Sequence, residues 1–152
     1  STDEKAAVAR AAGADLVVDY RQPDAAARLR DATGGRGVDR VVELDIAANA
    51  ALDIAVLRPG GDIVVYGSGQ PQFSLPFFPL IANGIGLQFF IVYNLGDEDR
   101  HRAQEVLATF LQAGSLQHRI GHQLPLAQIA QAHELVESGK ADGNVVLSLD
   151  AA

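Results

Sequence analysis

The sequence predicts an α/β fold in which a parallel sheet is flanked by helices. Short apolar segments rich in valine and isoleucine alternate along the chain with alanine-rich or amphipathic helical segments. These apolar segments lack the polar–apolar alternation of a half-solvated strand, so we expect them to be buried on both faces. Alternating strands and helices build βαβ units with right-handed crossovers, and therefore a parallel sheet.

Composition limits the class of protein and its partners. The chain has 152 residues, of which 48% are hydrophobic, so a packed core is expected. A net charge of -7 disfavours phosphate backbones and anionic membranes, and we expect neither a nucleic-acid nor a membrane partner. The absence of cysteine removes disulfides and thiolate zinc ligands from this chain. The first residues lack the apolar core of a signal peptide, and we expect a cytoplasmic protein.

The first elements are a helix, a strand and a second helix. Ser1 followed by Glu4 forms a capping-box pattern, and Gly13 suits the end of that helix. The apolar segment 15–20 predicts a short buried strand. Pro23 then favours the first position of a second helix.

The middle of the chain predicts two further strands with a helix between them. Glycines at 34–37 predict a turn, and the segment 38–44 a strand. A helix is expected over 47–57, ended by Pro59 and the two glycines after it. The segment 62–67 then predicts the next strand.

A long uncharged stretch follows. Residues 63–96 contain no Asp, Glu, Lys or Arg, but prolines and glycines interrupt them, which argues against a spanning helix. Within it we expect a short helix over 76–83 and a very apolar fourth strand over 85–93. A long helix is then expected from Asp97, as its N-cap, to Gly114.

The tail differs from the βαβ pattern that precedes it. It predicts a short extended piece, a helix over 126–138, a turn at Gly139 and Gly143, and a strand over 144–149. A strand at this place, after a separate helix, need not join the parallel sheet.

Candidate ligand contacts lie just after each predicted strand, because ligands of doubly wound sheets bind at the carboxyl ends of the strands. The small residues after the third strand let a backbone come close to a ligand, and a plain turn is the alternative. Glu43 and Asp45 flank a strand end, where we expect carboxylates that accept hydrogen bonds from nearby backbone, with a polar pair at a ligand site as the alternative. The four histidines lack the arrangement of a metal site, and no metal is expected.

One expected motif is missing. A dinucleotide-binding unit begins with a strand and G-x-G-x-x-G, which holds the pyrophosphate at a helix N-terminus. The glycines at 34–37 precede a strand and do not follow one, so they are not this motif. We therefore expect a sheet that lacks its first βα unit.

Five segments together carry a resemblance to a known superfamily. They are GADLVVDYR, GGRGVDRVVE, LRPGGDIVVYGSG, GLQFFIV and PLAQIAQAHELVESGKADGNVVLSL, in this order along the chain. As a set they resemble the medium-chain dehydrogenase/reductase superfamily. Within it, they are most similar to the quinone oxidoreductase, or zeta-crystallin-like, branch. The resemblance covers the C-terminal, cofactor-binding half of such an enzyme.

The resemblance implies a domain organisation and an oligomer. Residues 1–123 would form a partial Rossmann dinucleotide-binding domain, and 124–152 would belong to the catalytic, GroES-like domain. It also implies a homodimer in which the 85–93 strand pairs with its copy. An uncharged edge strand of this kind is one that a monomer should protect with charge.

The resemblance further implies where NADPH binds. Ser1, Lys5 and Tyr20 match positions around the adenosine 2′-phosphate, with a solvated surface lysine as the alternative for Lys5. Asn49 matches a residue that reaches the cofactor, with an N-cap as the alternative. The remaining matches lie under the nicotinamide ribose and beside the carboxamide, where backbone groups bind. They are Tyr66, Gly67, Ser68, Gly69, Phe89, Phe90 and Ile91.

The implied activity is NADPH-dependent hydride transfer to a quinone or enone, with NAD as the other possible cofactor. No catalytic residue is implied, because the cofactor supplies the chemistry and the protein positions it. Zinc is not expected in this segment, and we expect the chain to be inactive alone. The alternatives are a zinc-dependent alcohol dehydrogenase or enoyl reductase of the same superfamily, an S-adenosylmethionine methyltransferase-like domain, and a non-enzymatic dimerisation module.

Overall fold

The computed structural model describes residues 3–116 and 118–149. The chain divides into two compact units, of which the first ends at His101 and the second begins at Arg102. Ser1, the proposed cap of the first helix, lies outside the described residues.

The first unit is built on a three-stranded parallel sheet in the order β1-β2-β3. Its strands are β1 (Val38–Glu43), β2 (Leu57–Val65) and β3 (Gly86–Phe89). Ile63 in the central strand pairs with Val41 on one side and Leu87 on the other. The predicted α/β fold with a parallel sheet is confirmed.

Helices flank this sheet. Asp3–Ala11 forms α1, Ala25–Ala32 α2, Ile46–Val56 α3 and Phe77–Asn83 α4. A glycine follows α1 as predicted, since Gly13 takes a positive φ angle of 102°, and Gly84, with a φ angle of 58°, ends α4 in the same way.

The core of the first unit lies between α3 and β2. Ile46 and Ile63 are fully buried, and they cluster with three further apolar side chains, Ala50, Leu57 and Val65. Because Ile46 lies just after the end of β1 and Val65 is the last residue of β2, this core fixes the points at which both strands end. The loops that leave those ends therefore start from rigid positions.

The second unit contains a smaller parallel pair. β4 (Ile120–Pro125) pairs with β5 (Asn144–Ser148), and α6 (Ile129–Glu137) connects them. Leu124 lies opposite Leu147 in the register. The final strand thus stays out of the three-stranded sheet, an outcome that the sequence analysis had left open. The preceding helix, α5 (Asp97–Gln112), starts at Asp97 itself, one residue earlier than an N-cap there would imply.

The strand predicted over 15–20 is wrong. These residues have no strand assignment, and Leu16 stays 41% exposed. A strand needs a neighbour for its backbone hydrogen bonds, and no described strand pairs with this segment. Instead the Asp19 carboxylate binds the Arg21 guanidinium next to it, at 2.9 Å.

Two other boundaries move. β2 begins at Leu57, so Pro59 lies within a strand and does not end the helix before it. The β1–β2 register is irregular here, because Val38 pairs with Leu57 whereas Arg40 pairs with Asp62. Pro59 lies in this irregular part of the strand, where it does not have to donate a hydrogen bond to the sheet. β3 ends at Phe89, four residues before the predicted end, and a 3₁₀ turn follows at Val92–Asn94.

The second helix also starts later than predicted. Asp24 is its N-cap and Ala25 its first residue, so Pro23 lies outside the helix. None of the helices within residues 3–116 and 118–149 combines the length and hydropathy that crossing a bilayer requires.

Candidate functional site

The carboxyl ends of β1, β2 and β3 open onto two clefts within the first unit. The larger cleft, of about 580 Å³, lies between the segments that follow β2 and β3. The smaller cleft, of about 390 Å³, lies beside the turn that joins β1 to α3. Parallel strands end on one side of a sheet, which is why residues distant in sequence meet here.

The larger cleft is mainly apolar. The fully buried Ile46 forms part of its wall, and the Tyr66 and Phe90 rings lie with their centroids 6.2 Å apart. The backbone N–H of Phe90 donates to the carbonyl of Val65 at 3.1 Å, so the segment after β3 is tied to the end of β2. A wall of this kind suits a flat, weakly polar ring that is oriented by backbone groups.

The loop after β2 packs directly on the β1–α3 turn. A Cβ added to Gly67 would overlap with the backbone carbonyl oxygen of Leu44, so only glycine fits there. The Gly69 N–H donates to Asp45 Oδ1 at 2.7 Å, and a Cβ on Gly69 would lie 2.8 Å from Asp45 Oδ2. The two glycines thus allow the loop to approach the turn closely, whereas the close approach predicted for these small residues was to a ligand.

Most of the residues that line the smaller cleft have polar side chains. Tyr20 and Asn49 line it together with three acidic residues, Glu43, Asp45 and Asp53. Glu43 Oε1 accepts hydrogen bonds from the Asn49 side-chain amide at 3.0 Å and from the backbone N–H of Asp45. The expectation that Glu43 and Asp45 bind nearby backbone is confirmed, because each accepts from a backbone N–H.

Asn49 does not cap a helix. α3 begins at Ile46 with Asp45 at the N-cap position, and Asn49 lies inside the helix, one turn from its start. The N-cap alternative for Asn49 is therefore wrong, since its side chain binds Glu43 and not a helix-terminal N–H.

Two buried carboxyls share the wall of the smaller cleft. Glu43 is 6% exposed and Asp53 4% exposed. Burial, then the negative charge of Glu43 and a hydrogen bond with it, raise the pKa of Asp53 to about 7. Asp53 Oδ2 is buried and has no donor among the described residues, which also disfavours the ionised form. Below about pH 7 the Asp53 carboxyl is therefore mainly protonated.

The structure brings most of the predicted cofactor residues to these clefts. Lys5 lies on α1 and lines neither cleft, and Ser1 is outside the described residues. Gly69 belongs to the loop at the larger cleft through its bond to Asp45. Tyr20 and Asn49 line the smaller cleft, whereas the larger one is lined by Tyr66, Gly67, Ser68, Phe89, Phe90 and Ile91.

The sequence reasoning missed Asp53. A signal was present, because Asp53 is the one charged residue in the otherwise apolar or neutral α3. A lone carboxyl on an apolar helix points to a buried partner, since a buried charge must be paired or neutralised. In the described part of the chain, no three His, Asp or Glu side chains group in a way that would hold a metal ion.

Comparison with known proteins agrees with this geometry. Residues 12–147 match the zinc-binding dehydrogenase family. The quinone oxidoreductase of Lama guanicoe is 28% identical over 149 residues, which are 97% of this chain and 45% of that protein. The chain thus spans about half the length of the curated relatives it matches.

Solved structures give the same result. An NAD-dependent alcohol dehydrogenase superposes with a TM-score of 0.83 at 28% identity, over 99% of this chain and 42% of its own. A mycobacterial protein complexed with NADPH superposes with a TM-score of 0.78 at 30% identity, over 97% of this chain and 47% of its own. The resemblance to medium-chain dehydrogenases/reductases is confirmed, and the chain belongs to the zinc-binding dehydrogenase family.

Proposed function

We propose that this chain is the cofactor-binding half of an oxidoreductase that transfers hydride from NADPH to a quinone or enone. The observation that carries the proposal is the larger cleft, in which Tyr66–Ser68 and Phe89–Ile91 meet at the carboxyl ends of two parallel strands. The likeness to a quinone oxidoreductase and to an NADPH-bound structure supports the substrate class and the cofactor.

In this proposal the chain positions the cofactor, and none of its side chains takes part in the chemical step. When bound, the nicotinamide supplies the hydride, and the substrate gains that hydride and a proton. The apolar walls exclude water from the ring, and the backbone of Phe89, Phe90 and Ile91 binds the carboxamide. The loop of Tyr66, Gly67, Ser68 and Gly69 supports the ribose, held in place by Asp45.

Preference for NADPH over NADH would depend on a cation near the adenosine 2′-phosphate. Lys5 lies in the early part of α1, where a helix N-terminus also favours an anion. We assign the phosphate to Lys5 and Ser1. Tyr20 supports this assignment less, because the carboxyls beside it in the smaller cleft repel a phosphate.

The domain organisation and the dimer are part of the proposal. We propose that residues 1–123 belong to the dinucleotide-binding domain and 124–152 to the catalytic domain. β3 is an edge strand, and the residues that follow it are apolar and exposed, with Tyr93 80% exposed. An edge of this kind favours pairing with a second copy of the chain.

A second candidate is an alcohol dehydrogenase that uses NAD, favoured by the superposition on an NAD-dependent alcohol dehydrogenase. Nuclear magnetic resonance of the isotope-labelled chain, titrated with NADPH, NADH and S-adenosylmethionine, separates the possibilities. We expect NADPH to shift the backbone signals of residues 66–69 and 89–91 at a lower concentration than NADH does. Tighter binding of NADH would favour the second candidate. Binding of S-adenosylmethionine, or of neither nucleotide, would contradict both.

A further inference from the structure

The side-chain amide of Asn49 is hydrogen-bonded through its NH₂ group to Glu43. Its Nδ2 donates to Glu43 Oε1 at 3.0 Å, and the backbone N–H of Asp45 donates to the same oxygen. An ionised carboxylate can only accept hydrogen bonds, so the NH₂ end of the amide, and not its oxygen, must face Glu43. The orientation of Asn49 is therefore set by the chemistry of its partner.

Asp53 keeps Glu43 in this accepting state. It lies one helical turn after Asn49 on α3, so both side chains reach Glu43 from the same face of the helix. Because the Asp53 carboxyl is mainly protonated below about pH 7, it donates to Glu43, whose carboxylate remains available to Asn49. The three donors to Glu43 are then the Asp53 carboxyl, the Asn49 amide and the Asp45 backbone.

The oxygen of the Asn49 amide is left for a ligand. Asn49 lines the smaller cleft, and no described residue donates a hydrogen bond to its Oδ1. We propose that Glu43 is a positioning residue that turns Asn49 Oδ1 toward the smaller cleft, where it accepts a hydrogen bond from a ligand hydroxyl or amine.

This inference rests on the proposed function, in which the ligand is a nicotinamide dinucleotide. The adenosine part of such a ligand carries hydroxyls and an amine, which are the donors that a carbonyl oxygen selects. The carboxylates of Glu43 and Asp45 oppose an anionic group at the same place. The smaller cleft therefore binds an uncharged donor and rejects a phosphate.

A double-mutant cycle on the 152-residue chain tests the positioning role. The variants are Glu43→Gln, Asn49→Ala and the two combined, and the dissociation constants of NADPH and NADH are read from resonance shifts. Glutamine can donate from its own NH₂ group to Asn49. The Asn49 amide can then rotate by 180°, so that its oxygen faces residue 43 and not the cleft. We expect Glu43→Gln to weaken binding about 3–10-fold, the effect of one lost hydrogen bond, and to cause no further weakening when Asn49 is alanine.

A residue that only stabilised the fold would behave differently. Equal weakening by Glu43→Gln in both backgrounds, or no weakening in either, overturns the positioning role while the proposed function stands. A wild-type chain that binds neither nucleotide overturns the proposed function and this inference with it.

Two controls keep the outcome clear. Methyl signals of Ile46 and Ile63 report whether each variant retains the core, since both residues are fully buried. If the methyl signals show that Glu43→Gln does not retain the core, the affinity of Asn49→Ala tests the inference. Unchanged NADPH affinity in Asn49→Ala overturns it, and a 3–10-fold loss supports it. The exposed Gln104 lines neither cleft, and Gln104→Ala should leave affinity within about twofold of wild type.

Discussion

The two clefts open at the same edge of one sheet but are built by opposite means. In the larger cleft the backbone does the positioning, through the close approach of Gly67 to Leu44 and the bond from Phe90 to Val65. In the smaller cleft side chains do it, through the hydrogen bond from Asn49 to Glu43, beside which the pKa of the buried Asp53 carboxyl is raised to about 7. Backbone positioning depends on steric fit and hardly responds to pH, whereas side-chain positioning depends on protonation.

The largest expected effect comes from disturbing the steric fit at the larger cleft. Gly67→Ala places a Cβ against the backbone oxygen of Leu44, which cannot swing away as a side chain can. We expect a loss of about 2–3 kcal/mol in the free energy of unfolding, measured with urea. Gly96→Ala is the matched control, because nothing lies within 4 Å of its added Cβ, and it should stay within about 0.5 kcal/mol. A Gly67→Ala chain as stable as the control would show that the loop is not fixed by this contact.

An intermediate effect is expected from titrating the smaller cleft. The pKa of Asp53 is about 7 in the fold against an ordinary 3.8, so between these values the folded chain holds a proton that the unfolded chain has released. Raising the pH through this window therefore destabilises the fold, by at most about 1.4 kcal/mol per pH unit, and the loss ends above the folded pKa.

Urea unfolding between pH 5 and pH 8 measures this dependence. Asp53→Asn should flatten it, since asparagine donates to Glu43 at every pH. Asp19 and Asp39 do not interfere, because hydrogen bonds from Arg21 and Arg36 lower the pKa of these carboxyls and their contribution falls below pH 3.8. If the free energy of unfolding changes equally with pH in wild type and in Asp53→Asn, Asp53 is not the titrating group.

The smallest effect is expected from shortening an aromatic side chain in the larger cleft. Phe90→Ala removes the contact with the Tyr66 ring but keeps the backbone bond to Val65. Phe90 is 45% exposed, so the free energy of unfolding should change by less than about 1 kcal/mol. We expect NADPH binding to weaken about threefold or less, measured by resonance shifts. A loss beyond tenfold would mean that side chains, and not the backbone, bind the ring.

The difference between the two clefts also explains which features could be predicted from the sequence. The existence of β1, β2 and β3 was predictable, because apolar runs are local signals, whereas the end of β3 lies four residues before its predicted position. The Glu43–Asp53 pair was not, because ten positions separate its members and only the turn into α3 brings them together. The segment 15–20 has the composition of a strand, but strand formation depends on a neighbour that a local pattern does not reveal.

The contact between the β2 loop and the β1–α3 turn also sets how the site can be redesigned. A library that varies residues 66–69 while the turn stays unchanged will return glycine at 67, whatever ligand is used for selection, and any side chain at 69 must displace the Asp45 carboxylate. New loop sequences become accessible only when Leu44 and Asp45 are varied in the same library, so that the turn can recede as the loop gains side chains. Four positions on two separate segments are thus one unit of design.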